Sequence, residues 1–125
     1  MRSITKEKVI IFHEKLIERF GGSRGIRDEN MLDSTLVSAF QTFNGNDLYK
    51  TDIDKIASIC YSLILNHSFI DGNKRIGIFV MLILLKFNFY EMKYTQKELI
   101  ELGFEIARGN CKRDDIKKWI ENHLK

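Results

Sequence analysis

Between residues 67 and 75, in the segment "HSFIDGNKR", the chain gathers a His, an Asp, a Gly, an Asn, a Lys and an Arg. Ten residues without a polar side chain follow directly, Ile76 to Leu85. Polar groups set against such a core segment are costly unless they are paired or used. Their types suit phosphoryl or nucleotidyl transfer. A helix starting at Asn73 offers free backbone N–H groups and a partial positive charge, which favour an anion. Gly72 lets a bulky anion approach the backbone. Lys74 and Arg75 place positive charge where helices ordinarily prefer acids, an arrangement that a bound phosphate reconciles. Asp71, at the edge of this cradle, suits Mg²⁺, which one or two carboxylates hold together with phosphate oxygens and water. His67, four residues earlier, has the side chain best suited to general-base work near neutral pH. Phe69 is expected to pack inward and anchor the loop.

Each of these residues also has a purely structural explanation. A His can close a helix, an Asp can open one, "DGN" is an ordinary turn, and Lys and Arg can snorkel at the mouth of a core. The concentration of all of them in nine positions is what points to chemistry. His13 and His123 fall within periodic helices and are assigned none. His67 and Asp71 lack further ligands at the spacing of a zinc site.

Six helical segments must position this stretch. The first is expected from a Thr5 cap, with Val9, Phe12, Leu16, Ile17 and Phe20 as its apolar stripe, and stops at Gly21-Gly22. After the glycine-rich loop "GGSRGIRDEN", a second helix carries Met31, Leu32, Thr35, Leu36, Ala39 and Phe40. "NGND" at 44–47 reads as a turn. The third is expected to start with Asp52 as its cap and to run towards His67, and the fourth spans Asn73 to about Asn88. The fifth opens on the capping box "TQKE" at 95–98 and closes at Gly109; the sixth carries Ile116, Trp119, Ile120, His123 and Leu124. Because the fourth is apolar all round, the expected fold is all-α: a single domain, 1–125, with about six helices wrapped around one central buried helix. No repeat, linker or low-complexity stretch divides it.

Composition fits this picture. The 125 residues are 44% hydrophobic and 30% charged, with no proline and a net charge of +3. Basic and acidic residues alternate, so no nucleic-acid partner is expected. Cys60 and Cys111 have no metal-ligand spacing, "MRSITKEKVI" lacks the apolar region of a signal peptide, and the run 76–85 is too short to cross a bilayer. The expected location is the reducing cytoplasm.

The stretch "HSFIDGNKR" resembles the signature of the Fic/Doc (Fido) family, His-x-Phe-x-Asp/Glu-Gly-Asn-Gly/Lys-Arg, at every constrained place. "GGSRGIRDENMLDSTL", 21–36, is similar to the upstream loop and helix of its death-on-curing branch. The resemblance implies that His67 deprotonates a hydroxyl on a target protein and that Asp71 binds Mg²⁺ bridging the ATP phosphates. It further implies that Gly72 and Asn73 line an anion hole, that Lys74 and Arg75 contact phosphates, and that Phe69 is structural. Members that transfer a nucleotide carry Gly where this chain has Lys74, and a second Arg where it has Ile78. Both departures point to the death-on-curing branch, toxins of toxin–antitoxin pairs that transfer the γ-phosphate of ATP to a Thr of elongation factor Tu. The expected function is therefore a protein kinase of toxin type with a separate antitoxin. AMP transfer to a protein hydroxyl remains the alternative, and a catalytically idle nucleotide- or nucleic-acid-binding module stands behind it. Some relatives carry an inhibitory helix of pattern Ser/Thr-x-x-x-Glu-Gly/Asn. "KKWIEN", 117–122, has Glu121-Asn122 but Lys117 at the Ser/Thr place.

Overall fold

A computed structural model describes all 125 residues. Its elements are α1 (Lys6–Phe20), α2 (Glu29–Ser38), β1 (Thr42–Phe43), β2 (Asn46–Asp47), α3 (Asp52–Leu65), α4 (Asn73–Phe87), α5 (Gln96–Ala107) and α6 (Arg113–Asn122). The expected six-helix bundle forms, and the only sheet is a two-stranded antiparallel hairpin pairing Thr42 with Asp47 and Phe43 with Asn46. The "NGND" turn is the tip of that hairpin, with Asn44 and Gly45 both at positive φ.

Helix starts follow the side chains that satisfy free N–H groups. Thr5 caps α1, Asp28 caps α2, and Thr95 with Glu98 forms the capping box of α5. The cap of α3 is Thr51 rather than the expected Asp52. Thr51 and Asp54 exchange hydrogen bonds in a second capping box, which uses the Asp three residues on and leaves Asp52 in the first turn. Two helices are shorter than their apolar patterns suggest. α2 ends at Ser38, and Leu124 lies beyond α6 in an isolated bridge to Met92.

No residue from Ile76 to Leu85 is exposed, so α4 is buried as its composition requires. α3 shares the centre with it, burying Ile56, Ala57, Ile59, Cys60, Leu63 and Ile64. These two helices form the most extensive packing in the molecule, and α1, α5 and α6 close around them. Gly77 makes the close approach possible. A Cβ there would lie 2.5 Å from Ile64 Cγ1 and 3.2 Å from the Cys60 carbonyl oxygen. The motif loop joins this central pair at one end. No helix is long and apolar enough to cross a membrane.

Candidate active site

The chain leaves α3 through a left-handed residue, His67, at φ 50°. Its ring is exposed and makes no hydrogen bond within the protein. The carbonyls that end α3 are closed from a distance by Arg27, whose guanidinium donates to the Asn66 oxygen at 2.9 Å and the His67 oxygen at 2.5 Å. A guanidinium suits this place, being a planar double donor beside the negative end of a helix.

Arg27 belongs to the glycine-rich loop, and that loop runs antiparallel to the motif along its whole length. The Arg27 and Asp28 N–H groups donate to the Ser68 oxygen at 2.8 and 3.0 Å, Ile26 bridges Phe69, and the Ile70 N–H donates to the Gly25 oxygen at 3.1 Å. At the far end the Ser23 N–H donates to Asp71 Oδ2 at 3.0 Å. The two loops form an irregular ribbon in which one supplies the backbone partners of the other. Gly22 is required at its tip, because a Cβ there would lie 2.7 Å from Asp71 Oδ2.

Phe69 is fully buried beneath this ribbon. Its N–H donates to Asn73 Oδ1 at 3.1 Å and its carbonyl accepts from Asn73 Nδ2 at 3.0 Å. The Asn73 side chain is therefore engaged in holding the loop, and what it leaves for an anion is its backbone N–H. On the other side His13, from α1, stacks on the Phe69 ring at 3.8 Å and reaches the Asp71 carbonyl oxygen with Nε2 at 2.7 Å. Ser68 Oγ is buried without a partner.

Asp71 has one N–H on each carboxylate oxygen, from Ser23 and from Gly72 at 2.8 Å. Those two bonds, with Arg75 and His13 nearby, hold its carboxyl below the usual carboxylate range. It is ionised at neutral pH, exposed, and keeps lone pairs free. No cluster of three ligating side chains surrounds it. A single carboxylate of this kind fits Mg²⁺ that brings its remaining oxygens from phosphates and water.

α4 starts beside it at Gly72, left-handed at φ 76° and without a side-chain cap. The backbone N–H groups of Asn73, Lys74 and Arg75 have no acceptor in the protein. Two cations flank them on opposite sides. Lys74 Nζ sits 4.2 Å from the centre of the exposed Phe104 ring of α5. Arg75 lies over Phe20 of α1 at 5.0 Å and points Nη1 at the Gly21 oxygen, 3.4 Å away. One turn along, Ile78 is packed against α5, where a Cβ on Gly103 would lie 3.6 Å from Ile78 Cγ1.

The structure thus brings Asp71, Gly72, the start of α4, Lys74 and Arg75 to one exposed corner, with His67 at the other end of the ribbon. Sequence reasoning missed three contributors: His13, Ser23 and Arg27. Two surface clefts of about 470 and 390 Å³ lie away from this corner, between α1 and α2 and between α5 and α6. Neither groove includes a residue of the motif.

A family model described as Fic/DOC matches residues 3–85. The Toxin Doc of Mycolicibacterium smegmatis is 31% identical over 99 residues, which are 78% of this chain and 76% of that protein. The residues matched by the family model contain α1, the glycine-rich loop, the motif and nearly all of α4, which are the main parts that build the corner.

Proposed function

The chain belongs to the Fic/DOC family, and from that premise we propose that it is a Doc-like toxin that moves the γ-phosphoryl group of ATP to a Ser or Thr hydroxyl of a target protein. The observation that carries this is the start of α4. Three free N–H groups lie between two cations and beside an ionised carboxylate, an arrangement made for the phosphates of a nucleotide.

Each residue has a defined part. His67 takes the proton of the target hydroxyl. That oxygen forms a bond to the γ-phosphorus as the bond from phosphorus to the β–γ bridging oxygen breaks, and ADP leaves with the electron pair. His67 then returns its proton to water. The N–H groups of Asn73, Lys74 and Arg75, with the Lys74 and Arg75 side chains, bind the phosphate oxygens and stabilise the charge that shifts between them. Asp71 would hold Mg²⁺, which would neutralise charge on the phosphates.

Phosphoryl rather than AMP transfer is favoured by two positions. Lys74 adds a cation and bulk where nucleotide-transferring relatives have Gly. Ile78, packed on α5, offers no second phosphate clamp. The similarity to Toxin Doc supports a toxin role with an antitoxin partner; the cytoplasm and elongation factor Tu, implied by the resemblance of the motif, are the location and the target to try first. The brake belongs to a separate antitoxin. Lys117, at the place where an internal inhibitory helix needs Ser or Thr, is paired with Asp54 at 2.9 Å.

The test is label transfer to bacterial lysate proteins, and to elongation factor Tu, from ATP labelled on the γ- or the α-phosphate. Transfer of the γ label alone, abolished by His67→Ala, is expected. Transfer of the α label would make the chain an adenylyltransferase. Absence of any His67-dependent transfer would leave the idle module.

A further inference from the structure

α1 buries Val9, His13 and Ile17 on one face, and His13 is its single buried polar residue. Packing alone would fill that position with an aliphatic side chain. A buried imidazole in an apolar stripe costs stability unless its nitrogens are used. Its ring instead touches three residues of the motif. It stacks on Phe69 with an interplanar angle of 11°, it meets the Asp71 carbonyl at 2.7 Å, and its Nε2 lies 3.5 Å from where a Cβ on Gly72 would be. A carbonyl oxygen has no proton to give, so Nε2 carries the proton of this bond. Asp71 is consequently held at both ends, its carboxylate by the N–H groups of Ser23 and Gly72 and its carbonyl by His13.

We propose that His13 is a positioning residue for the metal-binding carboxylate, fixing the 70–72 backbone through the Asp71 carbonyl so that the carboxylate stays beside the start of α4. The inference rests on the role assigned to Asp71 above. Groups that orient a metal ligand from behind commonly change metal affinity about 10–100-fold when removed. His13 acts from one residue further back than usual, through the backbone instead of the ligand's own oxygens.

The experiment measures ATP binding by calorimetry, with and without Mg²⁺, for the wild type, His13→Leu, His13→Gln and Asp71→Asn. The ¹H–¹⁵N amide signals of Ser23 and Gly72 are recorded in the nucleotide-free proteins. His13→Leu is expected to weaken Mg²⁺-dependent ATP binding about 10–100-fold, to leave Mg²⁺-free binding unchanged, and to move both amide signals. His13→Gln, whose amide N–H can reach the same oxygen, is expected to restore most of the affinity. A folded His13→Leu that binds Mg²⁺–ATP like the wild type overturns the proposal. Should that variant not fold, His13→Asn, polar but too short to reach, takes its place: weakened Mg²⁺–ATP binding supports the proposal and wild-type binding overturns it. If Asp71→Asn also binds Mg²⁺–ATP like the wild type, the role of Asp71 falls and that of His13 with it. If Asp71→Asn is impaired and the His13 variants are not, only the positioning role falls.

Discussion

Asn73 pairs with Phe69 as a strand neighbour would, its side-chain amide accepting the Phe69 N–H and donating to the Phe69 carbonyl. The residue that opens the central helix thereby stands in for a missing β-strand in the loop before it. Both polar groups of Phe69 are buried, and nothing else in the protein satisfies them. Asn73→Ala is expected to destabilise the fold by about 2–4 kcal/mol, since two buried groups lose their partners. Urea denaturation measures this. Activity should fall further than stability does, and wild-type stability in the variant would show that the loop re-pairs elsewhere.

Asp71 makes stability depend on acid. Its folded pKa is lowered, chiefly by the Ser23 and Gly72 N–H groups, so its contribution is present above the unfolded carboxylate value of about 3.9 and is lost as pH falls through the lower folded one. Asp71→Asn is expected to lower Tm at pH 7, by an amount that shrinks as the pH drops below about 4. Melting curves across that range decide the matter, and a difference independent of pH would assign the loss to something other than charge.

His123 titrates in the opposite sense. Its Nδ1 meets the Trp119 carbonyl at 2.7 Å and its Nε2 meets Glu98 at 2.6 Å, both acceptors, so the ring carries two protons. Burial works against the charge, but Glu98 and the Trp119 carbonyl outweigh it and raise the pKa, while the His123 hydrogen bond lowers that of Glu98. The His123 contribution is complete below about pH 6.5 and is lost as pH rises through its raised folded value. The Glu98 contribution is lost as pH falls through its lowered one, below about 4.5. The Tm difference between wild type and His123→Gln is therefore expected to be largest near pH 5.5, about midway between those values, and to fade above neutrality. A difference that grows with pH would contradict the doubly protonated ring.

Ser68 Oγ is buried with no partner, which is a standing cost. Ser68→Ala is expected to stabilise the protein by about 1 kcal/mol without affecting label transfer. Chemical denaturation would detect the gain, and a loss would mean that the hydroxyl has a partner in solution, such as a trapped water.

Gly77→Ala sets helix propensity against packing. Alanine favours the helix by about 1 kcal/mol, yet its Cβ would meet Ile64 Cγ1 at 2.5 Å. The second effect is expected to win by about 1–3 kcal/mol. Shortening the opposing side chain in Gly77→Ala/Ile64→Ala should cost less than the two single changes added together, as a denaturation cycle would show.

Much of this architecture was legible in local sequence. The caps at Thr5 and Thr95, the all-apolar α4 and the stop at Gly21 depend on groups within a few residues of one another, and the structure follows them. The cap of α3 moved by one residue because Thr51 can form a capping box with Asp54 and Asp52 cannot be its cap at the same time. The motif residues could be collected by type, but not their partners. His13, Ser23 and Arg27 reach the motif across 58, 48 and 40 residues, and no periodicity or spacing encodes such an approach. Asn73 shows the converse limit. Its place at the start of α4 was evident, whereas the engagement of its side chain with Phe69 required the loop's path.

The ribbon between the two loops also determines when the site comes into being. All of its rungs join the segment before α2 to the segment after α3, so each must close a long stretch of chain before it contributes anything. Neither segment holds the geometry alone. A nascent or clipped chain that has the complete motif but lacks the docked glycine-rich loop has the candidate residues without the geometry that gathers them, so the proposed activity is expected only from the finished fold.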